Sequence, residues 1–135
     1  MANALVGGAS VSVTWIAPHE RAAEAMREFL EGHLEWMQLK SYKGGHLKLL
    51  HFSISESPEY VQDDQAWMMW TEGKYPATTG RVVFHLYEIY ESPDGLHHHW
   101  IEGADFLPTL GEICEAHKIE VRIHNQMKIT QSLWE

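Results

Sequence analysis

The sequence predicts a single α+β domain in which one antiparallel sheet carries its helices on one face. Two patterns support this class. Some segments alternate apolar and polar residues with a period of two, as strands do, and others repeat apolar residues every three or four positions, as helices do. Along the chain the segments follow the order strand, helix, strand, strand, helix, strand. With the helices on one face, this order predicts an α+β architecture.

The composition is typical of one domain spanning residues 1–135. With 135 residues and 44% hydrophobic content, the chain can bury one core but not comfortably two. A net charge of -9 argues against nucleic acid and anionic membranes as partners. Cys114 is the single cysteine, which excludes an intrachain disulfide and a cysteine-based zinc cluster. The start is not signal-like and no apolar run approaches about 20 residues, so we expect a soluble, cytoplasmic protein.

The first half of the chain predicts two strands and one long helix. Apolar and small polar residues alternate from Ser10 to Ile16, as in a first strand. A helix is predicted from Pro18 to about Leu39, and Gly44 and Gly45 are expected to end it. Its apolar face consists of Ala22, Met26, Phe29, Leu30, His33, Leu34 and Met37. A second strand is predicted from Leu47 to Ile54.

Residues 56–80 form an unusual excursion between two strands. Ser57, Pro58 and Glu59 predict a cap for a short helix that carries Trp67 and Trp70. Glycines and a proline then predict a loop back to the next strand. Such a long connection is typical of a lid, a partner surface or a separately packed helix.

The second half predicts a central strand, an interrupted helix and a last strand. Apolar and aromatic residues occupy both faces from Val82 to Tyr90, which predicts a strand buried on two sides. Ser92 is expected to cap a helix that begins at Pro93, and a second helical piece is predicted from near Asp105. The last strand is predicted from Ile119 to Ile129. The complete order, βαββαβ, is that of a ferredoxin-like domain.

The segment LYEIYESPDGLHHHWIEGADFLPTL, residues 86–110, resembles the signature region of the antibiotic biosynthesis monooxygenase family. In that pattern a strand with Tyr-Glu-x-Tyr leads into a helix that carries a His and then an aromatic residue. Tyr87, Glu88 and Tyr90 match the strand, His99 matches the helix His, and Phe106 matches the later aromatic. The resemblance implies a homodimer in which two sheets face each other as a dimeric α+β barrel. It also implies a ligand pocket between each sheet and its helices.

His99 and Glu88 are the candidate catalytic residues. His97, His98 and His99 point in three directions around a helix, because successive residues are rotated by about 100°. Only His99 is expected on the buried face, where the family position agrees. Glu88 lies among apolar strand residues, so it must be paired or hydrogen-bonded, or act as a base with a raised pKa. For both residues a purely structural role is an open alternative.

Further residues are predicted to line a pocket for an aromatic or apolar small molecule. These are Trp15, His33, His51, His85, Tyr87, Trp67, Trp70, Trp100 and Phe106, and Trp36 and Trp134 complete the six tryptophans. His51, His85 and His124 could meet on one sheet and bind a metal ion, but no local ligand motif requires it. We therefore predict no metal and no organic cofactor.

Two functions are compatible with these patterns. The first is a monooxygenase-like enzyme that binds a flat, mostly apolar molecule such as a phenol, a quinone or haem. In such a site His99 or Glu88 could remove a phenolic proton, so that the electron-rich anion reacts with oxygen. The second is a non-catalytic dimeric protein of the same fold that binds a small molecule or takes part in an assembly.

Overall fold

The computed structural model describes residues 5–41 and 45–133. A four-stranded antiparallel sheet with the strand order β2-β3-β1-β4 carries the helices, which confirms the α+β class and is consistent with a ferredoxin-like fold. The elements are β1 (Ala9–Ala17), α1 (Glu20–Lys40), β2 (Leu49–Tyr60), α2 (Asp64–Thr71), β3 (Thr78–Tyr90), α3 (Pro93–Glu102), α4 (Phe106–His117) and β4 (Glu120–Lys128). Trp134 and Gly44 lie outside the described residues.

The excursion at residues 56–80 contains the predicted short helix with Trp67 and Trp70, but the start of the excursion differs from the prediction. The segment from Ser57 to Tyr60 does not cap a helix but continues β2, because it pairs with the start of β3, with Tyr60 opposite Thr78. The short helix α2 begins only at Asp64. Its cap is Asp63, whose carboxylate accepts the N–H of Ala66 at 2.8 Å. The element order therefore contains an additional helix between β2 and β3.

Two helix starts also depart from the expected caps. α1 begins at Glu20 rather than Pro18, because the side chain of His19 accepts the N–H of Ala22 and so acts as the N-cap. α3 begins at Pro93 as predicted, but the side chain of Ser92 makes no capping hydrogen bond. Its first turn therefore depends on the fixed φ of Pro93 and on Asp94 at the positive end of the helix dipole.

The core lies between one face of the sheet and the helices α1 and α3. The sheet contributes Val11, Val13, Trp15, Phe84, Leu86 and Tyr90, and the helices contribute Ala22, Ala23, Met26, Leu30 and Leu96. Neighbouring strand residues such as Ser12 and Tyr87 point to the opposite face, where Trp67 and Trp70 of α2 lie beside Val83. We call these two surfaces the helix face and the open face.

Gly95 sets how closely α3 approaches the chain ahead of β2. A Cβ atom at this position would collide with the backbone carbonyl of Leu47. Since only glycine lacks that atom, its presence lets the first turn of α3 pack directly on the backbone of its neighbour. This contact holds the helix that carries His99 against the sheet.

Within the described residues, no helix combines the length and the apolar composition that crossing a membrane would require.

Candidate functional site

A cavity of about 70 Å³ lies between the helix face of the sheet and the helices α1, α3 and α4. One water molecule needs about 10–15 Å³ of such space, so the cavity has room for a small ligand. Its walls are mostly apolar, and its ionisable residues are Glu88, His33 and His99. The main remaining lining residues are Val11, Val13, Trp15, Phe29, Leu86, Trp100, Phe106, Leu107 and Leu110.

Glu88 is the most deeply buried of these ionisable residues. It lies near the end of β3 on the helix face and is 1% exposed. The phenol of Tyr90, two residues further along the strand, donates a hydrogen bond to its Oε1 at 2.6 Å. Burial raises the pKa of Glu88 to about 7, and the hydrogen bond from Tyr90 opposes the rise. The carboxyl group therefore changes its protonation state near neutral pH.

His99 lies on α3 beside this carboxyl group and is 8% exposed. Its Nε2 atom is 3.5 Å from Oε1 of Glu88. Burial, together with the nearby His33, lowers the pKa of His99 to about 4. The ring is thus neutral at neutral pH, and its contact with Glu88 is not an ion pair under those conditions.

His33 approaches from the middle of α1 and is enclosed by aromatic rings. Its ring centroid lies 5.8 Å from that of Phe52, 5.8 Å from that of Phe106 and 6.2 Å from that of His99. Burial lowers the pKa of His33 to about 4. The Nδ1 atoms of His33 and His99 are both buried without a hydrogen-bond partner among the described residues.

The three ionisable side chains converge, although they come from α1, β3 and α3. Within residues 5–41 and 45–133, His33, Glu88 and His99 can each place one ligand atom so that the three atoms lie within 4.8 Å of one another. We call this set the His-Glu-His cluster. Such a cluster can move a proton or hold a cation.

The other predicted residues of the helix face also line the cavity. The indole nitrogen of Trp15 is buried without a partner among the described residues, so it offers a free donor. Trp100 lines the cavity while its indole N–H donates to Oδ1 of Asn125 at 2.8 Å. Phe106 packs edge-on against Trp36 and His33. The structure thus brings six sequence-predicted residues together: Trp15, His33, Glu88, His99, Trp100 and Phe106.

His51, His85 and Tyr87 lie elsewhere, on the open face. Nε2 of His85 is 2.6 Å from Oγ of Ser12, and the Tyr87 ring lies between His51 and His85, with ring centroids 5.7 Å and 6.2 Å away. His124 pairs with Ser12 in the sheet, which places it on the same face. These residues do not join the cavity, so their part in ligand binding stays a prediction.

Trp67 and Trp70 also lie outside the cavity. They belong to α2 and are 62% and 46% exposed. Trp70 packs edge-on against Tyr60 and Tyr75, with ring centroids 5.2 Å and 5.4 Å away. In this structure they form an exposed aromatic surface rather than a cover over the cavity.

Sequence reasoning overlooked Tyr90 and Phe52 as members of the site. Tyr90 supplies the tyrosine hydroxyl that a buried Glu88 requires, and its position two residues later on the same strand face was the available signal. Phe52 packs beside His33 from a strand whose register with β3, with Phe52 opposite Glu88, is visible only in the folded sheet.

Comparison with known proteins leaves the family of this chain open. No known protein family matches the sequence, and no curated protein matches it. Among solved structures, the de novo designed protein Foldit4 is similar at a TM-score of 0.42 and 14% identity, over 89% of this chain and 99% of that chain. A similarity of this size supports no functional argument.

Proposed function

We propose that the protein is a monooxygenase-like enzyme that oxidises a small phenol in the cavity beneath α1, α3 and α4. The observation that carries the proposal is the buried pair of Glu88 and His99 in a cavity with mostly apolar walls. Apolar walls favour an aromatic ring, and a carboxylate or imidazole in contact with its hydroxyl can remove the proton. The small volume favours a single-ring phenol over haem or a polycyclic quinone.

The proposed reaction needs dioxygen and no organic cofactor. A base in the site takes the phenolic proton, and the anion transfers electron density from ring carbon to dioxygen, forming a carbon-oxygen bond and a peroxide. Loss of the ring hydrogen with cleavage of the oxygen-oxygen bond then gives a quinone and water. One oxygen atom enters the product and the other leaves in water, and the phenol, oxidised to the quinone, supplies all four electrons that dioxygen accepts.

Oxygen uptake tests this proposal directly. A panel of single-ring phenols and hydroquinones is incubated with the protein, and dioxygen consumption is followed together with quinone absorbance. Because general acid-base catalysis contributes about 100-fold or more, Glu88→Gln and His99→Ala should each lower kcat by at least about 100-fold. His97→Ala changes an exposed neighbour on the same helix and should leave kcat unchanged. No uptake across the panel, or equal uptake by all variants, would contradict the proposal.

The proposed enzyme acts as a homodimer of the dimeric α+β barrel type, with ferredoxin-like βαββαβ protomers. The open face supports this, since it carries the half-buried side chains of Ile16 and Tyr87. A second sheet would cover them. Light scattering at micromolar concentration should give twice the mass of one chain. Tyr87→Arg should yield monomers, whereas Tyr75→Arg, at a residue that is 71% exposed, should not.

The second candidate is a non-catalytic protein of the same fold that takes part in an assembly. The exposed aromatic surface on and beside α2 favours it, because Trp67, Met68 and Tyr75 are 62%, 59% and 71% exposed. Exposed apolar patches of this kind are typical of protein contacts. Binding of phenols without oxygen uptake, together with oligomers larger than a dimer that Trp67→Ala disrupts, would favour this candidate over the enzyme.

A further inference from the structure

The His-Glu-His cluster has the donor set and the spacing of a metal site. Donors bound to one divalent ion at about 2.0–2.1 Å stand roughly 3–3.5 Å from one another. Nε2 of His99 and Oε1 of Glu88 are already 3.5 Å apart, and all three ligand atoms lie within 4.8 Å of each other.

Packing alone does not account for this cluster. A buried carboxylate is costly unless a positive group compensates it, and no Lys or Arg among residues 5–41 and 45–133 forms an ion pair with Glu88. The buried nitrogen atoms of His33 and His99 without partners add a further cost. One cation between the three side chains would compensate the charge and accept the lone pair of the ligating nitrogen of each imidazole, although Nδ1 of His99 keeps its unpaired state when Nε2 is the ligand.

We propose that His33, Glu88 and His99 bind one divalent first-row transition-metal ion, with the remaining coordination positions open to the cavity. Two imidazoles and one carboxylate are the donor set of catalytic zinc sites and of non-haem Fe(II) oxygenases. The hydrogen bond from Tyr90 to Glu88 is the kind of outer contact that orients a ligating carboxylate. The site departs from the sequence-based expectation of no metal and uses none of the open-face histidines.

The proposal that an ion binds here rests on these three side chains, whereas a role of that ion in catalysis rests on the proposed function. In the proposed enzyme, an ion at this point would hold the phenolic oxygen and lower the pKa of its hydroxyl, so that Glu88 and His99 would act as ligands in place of the base. Metal binding and oxygen uptake are separate measurements, so each idea can fail without the other.

Metal titration tests the site. The protein is stripped with a chelator, dialysed, and titrated with Zn²⁺ by calorimetry and with Fe²⁺ under anaerobic conditions. One tightly bound ion per chain is expected. Loss of an outer partner typically lowers metal affinity about 10–100-fold, so His33→Ala, Glu88→Gln and His99→Ala should each lower it by at least about 100-fold. Tyr90→Phe should lower it about 10-fold.

The chain offers a matched control for adventitious binding by surface histidines. His97 and His98 are exposed neighbours with ring centroids 6.0 Å apart. Replacing both by Ala should leave the tight ion in place. Three results would overturn the proposed site. The double variant could lose the tight ion, the unaltered protein could bind no tight ion, or any of the three single variants could bind the ion with unchanged affinity.

Thermal unfolding gives a second readout, because the ion would join α1, β3 and α3. A ligand that binds only the folded state raises its stability. Zn²⁺ should therefore raise the Tm of the unaltered protein and of the His97→Ala, His98→Ala variant, but not that of Glu88→Gln. Gln preserves the shape of Glu88, so this variant is expected to fold. If the His99→Ala variant does not fold, the titration is repeated with the His99→Gln variant. Tight binding of the ion by His99→Gln would count against the site.

The outcomes separate the two proposals. One tightly bound ion without oxygen uptake on any phenol supports the metal site and contradicts the proposed oxygenase. Uptake by chelator-treated protein that binds no ion contradicts the metal site and leaves the oxygenase standing.

Discussion

The two faces of β3 carry similar residue types in very different surroundings. On the helix face, Glu88 is 1% exposed and shares a small cavity with His99. On the open face, His85 and Tyr87 stack on each other with ring centroids 6.2 Å apart, and both are half-buried. Because side chains alternate along a strand, Glu88 points to one face of β3 and His85 and Tyr87 point to the other. The helices cover Glu88, so its surroundings are less polar than those of His85 and Tyr87. Under the helices, burial raises the pKa of Glu88.

The carboxylates of the molecule show the same contrast. Burial raises the pKa of Glu88, whereas hydrogen bonds from the Arg27 guanidinium lower the pKa of Glu56 on the surface. Pairs of similar substitutions, one beneath the helices and one at an exposed or half-buried position, measure how much more the buried side chains contribute to the stability of the protein.

Phe84→Ala and Tyr87→Ala compare the two faces of β3 most directly. Phe84 is 1% exposed in the core, so its truncation should cost about 3–5 kcal/mol of unfolding free energy. Tyr87 is half-buried on the open face, and its truncation should cost about 1 kcal/mol in the monomer. Urea denaturation measures both. Phe84→Leu serves if the alanine variant does not fold, and equal costs for the two positions would contradict the contrast.

Gly95→Ala tests how α3 is held over the helix face. The added Cβ would collide with the carbonyl of Leu47, so the helix must shift, at a cost of about 1–3 kcal/mol. Gly111→Ala is the matched control, since Gly111 lies in α4 with open space around it. There alanine should stabilise the protein by about 0.5–1 kcal/mol, because it favours the helix. Thermal unfolding of both variants should show Tm changes of opposite sign.

Tyr90→Phe removes the single hydrogen bond that the described residues donate to the side chain of Glu88. Loss of a partner in a buried site should cost about 1–3 kcal/mol. Tyr75→Phe makes the same chemical change at a side chain that is 71% exposed, where the effect should stay within about 0.5 kcal/mol. Chemical denaturation at constant pH measures the difference. Similar values for the two variants would show that the bond to Glu88 contributes little.

Glu56→Gln should give the smallest effect, and one that depends on pH. Two hydrogen bonds from Arg27, at 2.9 Å and 2.7 Å, hold the pKa of Glu56 below its ordinary value of 4.5. The pair therefore contributes stability above that ordinary value and loses it as the pH falls through the lowered pKa. Since the pair is exposed, Glu56→Gln should cost at most about 1 kcal/mol at neutral pH, and nothing in strong acid.

Glu24→Gln, at an exposed carboxylate of α1 that forms no ion pair with a described residue, provides the baseline. Denaturation of both variants at several pH values measures the difference. A cost for Glu56→Gln that does not diminish in acid would show that it comes from packing rather than from charge.

Local patterns predicted more of the fold than of the site. The alternation in β1 and β3 and the apolar face of α1 placed these elements within a few residues, and Pro93 marked the start of α3. The short helix with Trp67 and Trp70 is present, but its cap was predicted incorrectly, because Ser57 and Pro58, which often cap helices, instead extend β2 by pairing with β3. Pairing between strands overrides such local preferences, and a single sequence does not reveal it.

The sequence by itself determined which residues could share a face: two-residue spacing placed Glu88 with Leu86 and Tyr90, and helix geometry selected His99 from three adjacent histidines. Only the tertiary structure decided that His33 from α1 joins them, and that His51, His85 and His124 lie on the opposite side of the sheet. The physical reason is that strand register and helix packing bring together residues that are distant along the chain. Local periodicity specifies the faces of each element but not the partners that those faces meet.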